Sequence, residues 1–139
     1  MAGQDIKQLN EQFYDEVFRN RNIDAIDTLL ADDFVEHNPW PGQRDDRQGA
    51  KDFIGLMLTA FPDLDMKIES EVAEGDTVAS LVTMSGTHQA DFAGIPATGR
   101  KVSVTSMDFT KIRDGKCTDH WGLADMGTLM SQLGVGPQQ

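Results

Sequence analysis

The chain's dominant hydrophobic period changes near Pro62–Leu64, and that change restricts the folds open to it. Before the change, apolar residues recur at helical spacing. Ile6, Leu9, Phe13 and Val17 fall at i, i+3, i+7 and i+11, one stripe on a first helix whose other positions are mostly polar. A short second helix is predicted over Ile23–Leu30, with Ile26, Leu29 and Leu30 inward, and Phe34-Val35 begins an extended segment that breaks at Pro39-Trp40-Pro41-Gly42. A third helix is predicted from Arg47 to Phe61, with Phe53, Leu56, Met57 and Ala60 as its apolar positions and Pro62 as its stop. From Leu64 onward the period is two: Met66, Ile68 and Val72, then Val78, Val82 and Met84 after a Glu74-Gly75-Asp76 turn. Helices first and antiparallel strands afterwards imply an α+β domain, with the helices packed on one face of a curved sheet. Such a cone can enclose a pocket.

The last third carries the chemistry. Gly86–Arg100 is rich in Gly, Thr and Pro and reads as a loop able to form a pocket rim. Thr105–Ile112 is a strand, Arg113-Asp114-Gly115 supplies turn residues, and Lys116–Trp121 returns as the partner strand. A three-residue loop with Gly115 as a bulge pairs Ile112 with Lys116 and sets Asp108 opposite His120, at a Cβ separation of roughly 4.5 to 5.5 Å. A two-residue Asp114-Gly115 turn sets Asp108 opposite Trp121 instead, because a slip of one residue reverses faces. The three-residue loop is the preferred reading. Asp125–Leu133 ends the chain as a short helix with Met126, Leu129, Met130 and Leu133 on one side, stopped at Gly134.

Composition excludes several function classes. With 139 residues the chain is expected to form one domain, 1–139, large enough to bury a real core. A net charge of −11 opposes any phosphate-binding surface, so nucleic acid is not an expected partner. A lone cysteine, Cys117, makes no intramolecular disulfide, and MAGQDIKQLN has neither a basic nor an apolar leader region, so a reduced, soluble, cytoplasmic protein is expected. No apolar run approaches the ~20 residues that span a bilayer. Gly-x-Ser-x-Gly, P-loop and dinucleotide fingerprints are absent, and the three histidines do not fall at metal-ligand spacing, so no metal is expected.

The order and spacing of VEHNP, AFPDL, EGD, GTH, GIPATGR, DGK, DHW and QLG resemble the SnoaL-like polyketide cyclase family, of the nuclear-transport-factor-2-like fold, over nearly the whole chain. The resemblance implies a cone-shaped α+β barrel, a mostly apolar cavity for a small apolar molecule, homodimers or higher homo-oligomers packed through the sheet, and acid/base chemistry with no cofactor. In the characterised aromatic polyketide cyclases the general base is an Asp three positions after the first Asp of the DH segment. Here that position is Gly122, and the polar position on the preceding strand, a His in those cyclases, is Asp108. Asp108 as base and His120 as proton donor are the expected catalytic pair, an exchange of roles across the hairpin. A general base works best with a pKa near working pH, and burial is one means of bringing a carboxyl there. Asp125 is a second carboxylate candidate or a helix cap. His37 and His88, near segment ends, are candidates for ligand hydrogen bonds or for structural roles. Trp121, Phe34, Trp40, Phe53 and Met57 are candidate cavity wall, Trp121 only in a slipped register. Cyclisation or isomerisation of a small or medium apolar carbonyl compound is the first expectation. A non-catalytic ligand-binding protein and a cofactor-free hydroxylase are the others.

Overall fold

A computed structural model describes residues 2–135, with side chains from Ile6 onward. Helix α1 spans Ala2–Phe13 and continues into a wider π-helical turn, Tyr14–Arg19, closed by the Asn20 N–H on the Asp15 carbonyl at 2.8 Å. The wider turn lets adjacent Val17 and Phe18 both face the core. The second helix is shorter than the sequence suggests: a 3₁₀ turn at Ile23–Ala25, then α2 at Ile26–Leu29, with Leu30 already the first residue of strand β1, Leu30–Glu36. Helix α3 is Arg47–Ala60, and the Asp46 carboxylate accepts the Gly49 N–H as its N-cap at 2.9 Å. Ala50, Ile54, Met57 and Ala60 form its buried side. Leu56, expected inward, is exposed, because Ile54 and Met57 set the buried stripe on another side of the helix.

Strands β2 (Asp65–Glu74), β3 (Thr77–Thr87), β4 (Lys101–Arg113) and β5 (Lys116–Ala124) join β1 in a mixed sheet ordered β1-β5-β4-β3-β2. Only β1 with β5 is parallel. A bulge in β2 between Ile68 and Ser70 shifts the side-chain alternation by one. Val72, expected on the core face with Met66 and Ile68, is therefore turned outward, and Glu71 takes the inward position opposite Ser80. Helix α4, Met126–Gln132, packs back on β4 with Leu129 and Leu133 buried, whereas Met126 stays exposed. The helices cover the concave face of the sheet, and a cavity of about 170 Å³ lies between them. No helix among the described residues is long and apolar enough to cross a membrane.

Candidate active site

The β4–β5 hairpin corrects both registers expected for it. The turn has two residues, Asp114 and Gly115, with φ of +53° and +78°, and Arg113 pairs with Lys116. The next residue, Ile112, pairs with Cys117 but Lys111 with Asp119, so Thr118 is an extra residue in β5. Beyond this bulge Thr110 faces His120 and Asp108 faces Gly122. Relative to the expected pairing the slip is two residues, which preserves the face. Asp108 and His120 thus still share the cavity side, as diagonal neighbours rather than directly opposed ones.

Gly122 makes the diagonal contact possible. A Cβ at this position would lie 2.6 Å from Asp108 Oδ1 and 2.7 Å from His120 Cε1. Without one, the imidazole lies across the gap, and His120 Nε2 donates to Asp108 Oδ1 at 2.9 Å. The other ring nitrogen, Nδ1, donates to Glu36 Oε1 at 2.7 Å. Glu36 comes from β1, whose parallel pairing places it beside His120. Ser106 Oγ donates to the second oxygen of Asp108 at 3.1 Å, and the Asn38 backbone N–H to the second oxygen of Glu36 at 3.2 Å. Both carboxylates are buried, and the His120 side chain is 29% exposed. Burial pulls the imidazole pKa down, but hydrogen bonds and charge from Asp108 and Glu36 outweigh it and raise the value to about 9. At neutral pH His120 is an imidazolium clamped between Asp108 and Glu36.

The remaining wall is mainly apolar. Phe13, Phe18, Phe34, Phe53, Met57 and Met84 line it, and Trp40 closes over Phe53 and Phe92 at ring separations of 5.2 and 5.4 Å. Cys117 also faces the cavity, but burial pushes its thiol up to about 12, so it is not a thiolate nucleophile. Burial, followed by the charge of Asp108, raises the Tyr14 phenol well above its ordinary pKa, and it stays protonated. Among the described residues no group of three or more His, Cys, Asp or Glu side chains is arranged to hold a metal ion.

Four residues considered for the site lie elsewhere. Trp121 points to the opposite face of the sheet, where His37 stacks on it at 4.2 Å and pairs with Asp119 at 2.8 Å. This follows from alternation, since His120 takes the inward position. His88 is fully buried beneath the 88–100 segment; the Thr98 N–H donates to its Nδ1 at 3.2 Å and its ring packs on Phe61. Asp125 caps α4, accepting the Thr128 N–H at 3.1 Å and its hydroxyl at 2.6 Å, and these bonds hold its carboxyl below the usual range. Glu36, absent from the expected set, is the main addition. Its one local signal is alternation: Phe34 and Glu36 share an inward parity in the extended segment.

The sequence model of the SnoaL-like polyketide cyclase family matches residues 8–133. Nogalonic acid methyl ester cyclase of Streptomyces nogalater is 26% identical over 121 residues, covering 84% of this chain and 89% of the relative. TsrD of Streptomyces laurentii superposes with a TM-score of 0.86 at 28% identity, over 96% of this chain and 97% of the other. AclR of Streptomyces galilaeus, a candidate hydroxylase, superposes with a TM-score of 0.83 at 28% identity, over 96% and 87%.

Proposed function

The chain belongs to the SnoaL-like polyketide cyclase family, and on that premise we propose that it is a cofactor-independent acid/base enzyme acting on a small or medium apolar carbonyl compound, by cyclisation or isomerisation. The observation that carries this reading is the hydrogen-bonded chain Glu36–His120–Asp108 in the wall of an otherwise mainly apolar cavity. Asp108 is the base. It takes the proton from a carbon next to the substrate carbonyl, and the C–H electron pair becomes the enolate. Protonation neutralises Asp108 and weakens its hold on the His120 Nε2–H, which is then free to donate to the enolate oxygen. Glu36 keeps the imidazole charged and oriented throughout. In a cyclisation the enolate carbon bonds to a second carbonyl carbon, whose oxygen takes back the proton from Asp108.

Replacing Asp108 by Asn keeps the shape and removes the base. Turnover is expected to fall by about 10²- to 10⁴-fold while ligand binding, measured by native mass spectrometry, persists. Equal turnover in wild type and variant would rule Asp108 out as the base.

Two other readings have specific support. Gly122 at the position of the family's base favours a ligand-binding protein without catalysis; retention of unconverted ligand by wild type across a substrate panel would select it. The likeness to AclR, a candidate hydroxylase, favours hydroxylation, which requires oxygen consumption on substrate addition. A homodimer through the outer sheet face is part of the same proposal. Val72, Met107, Phe109 and Leu123 are exposed there in neighbouring cross-strand positions, flanked by Trp121.

A further inference from the structure

Helix α1 carries a buried polar side chain within its apolar stripe. Asn10 follows Ile6 by four residues and precedes Phe13 by three, and it lines the cavity. Its Nδ2 donates to Glu71 Oε2 at 3.0 Å and to Ser80 Oγ at 2.9 Å. Glu71 reaches this position because the β2 bulge turns it inward. Burial and then a hydrogen bond with Glu11 raise the Glu71 pKa. Both amide hydrogens are thereby engaged and the amide cannot turn without losing them. Oδ1 is the free end, and among the described residues nothing donates to it. Ser80, which anchors this amide, pairs directly with Asp108 across β3 and β4, and Asn10 and Asp108 both line the cavity.

We infer that Asn10 determines specificity: its Oδ1 accepts a hydrogen bond from a hydroxyl or N–H group on the ligand, so the preferred ligand is a hydroxylated carbonyl compound rather than a wholly apolar one. The inference rests on the cavity being the ligand site. A ligand without a donor displaces water from Oδ1 and leaves a buried acceptor unpaired, which is the strongest form of discrimination a mainly apolar pocket can apply. Two anchoring bonds to Nδ2 supply the rigidity such recognition needs.

Equilibrium binding of a matched pair tests this without turnover, so failure of Asp108 as base would leave the result intact. The probes are 6-hydroxy-1-tetralone and 1-tetralone. Wild type is expected to bind the hydroxylated probe at least about tenfold more tightly. In Asn10→Leu, of similar volume, the ratio is expected to fall to about one with 1-tetralone still bound. Equal affinities in wild type, or an undiminished ratio in the variant, would overturn the inference; the latter is what a purely structural Asn10 gives. Where Asn10→Leu does not fold, the Asn10 carboxamide ¹³C resonance of wild type decides: a shift with the hydroxylated probe alone supports the contact, and no difference between probes removes it. Failure of both probes to bind wild type would overturn this inference and the cavity reading together.

Discussion

At the scale of single residues, the site depends on one absent side chain and two acids. Gly122→Ala places a methyl 2.6 Å from Asp108 Oδ1, closer than real Cβ contacts come, so one member of the pair must move. A displacement near 1 Å is enough to cost about a hundredfold in rate, and steady-state kinetics on any substrate turned over by wild type should show that loss. Glu36→Gln acts through charge. The His120 pKa lies above its unfolded value of about 6.5, so its contribution to stability is complete below pH 6.5 and is lost as pH rises to about 9. Wild-type stability from denaturant titrations should therefore fall on the order of 3 kcal/mol across that window. Glu36→Gln should flatten the fall and move it toward lower pH. The residues also differ in how far sequence reveals them. Asp108 and His120 are legible because parity survives a two-residue slip. Glu36 is legible only as an inward parity shared with Phe34, because a parallel partner 84 positions away leaves no local trace of the pairing.

At the scale of elements, long periodic segments are legible and their ends and irregularities are not. The stripe Ile6, Leu9, Phe13, Val17 identifies α1, yet the π-helical turn after Phe13 depends on packing that brings Phe18 inward as well. Strand alternation identifies β2 and β3, but the bulge at Glu69 exchanges Val72 for Glu71 on the inner face, and no turn residue announces it. The bulge at Thr118 has the same character and determines which residues Asp108 and His120 face. Helix α3 offers a direct test of local geometry. Gly49 lies in its first turn, and an added Cβ would be 2.1 Å from the Arg44 carbonyl oxygen. Gly49→Ala should therefore destabilise by about 1–3 kcal/mol in thermal or chemical unfolding, rather than gain the ~1 kcal/mol that helix propensity alone offers.

At the scale of the whole molecule, the α+β class and the concave cover of helices follow from the main change of period near Pro62–Leu64, whereas the closing strand β1 joins the sheet through a non-local parallel pairing. The two faces of the sheet divide the work: the inner one carries the acids and the imidazole, and the outer one exposes Met107, Phe109 and Leu123. Since outward and inward residues alternate along β4 and β5, a change on one face leaves the other's side chains in place. Combined Phe109→Glu and Leu123→Glu substitutions are expected to convert a dimer to a monomer in sedimentation velocity, with the His120 titration unchanged. A wild type already monomeric at high micromolar concentration would remove the dimer proposal and leave the cavity chemistry standing.

Direct titration of His120 by ¹H–¹⁵N NMR of its ring probes the clamped imidazolium itself. Both ring N–H groups should be present at pH 7, with deprotonation near pH 9 and a lower midpoint in Glu36→Gln and in Asp108→Asn. A midpoint near 6.5 that neither substitution moves would contradict the Glu36–His120–Asp108 unit and the chemistry built on it.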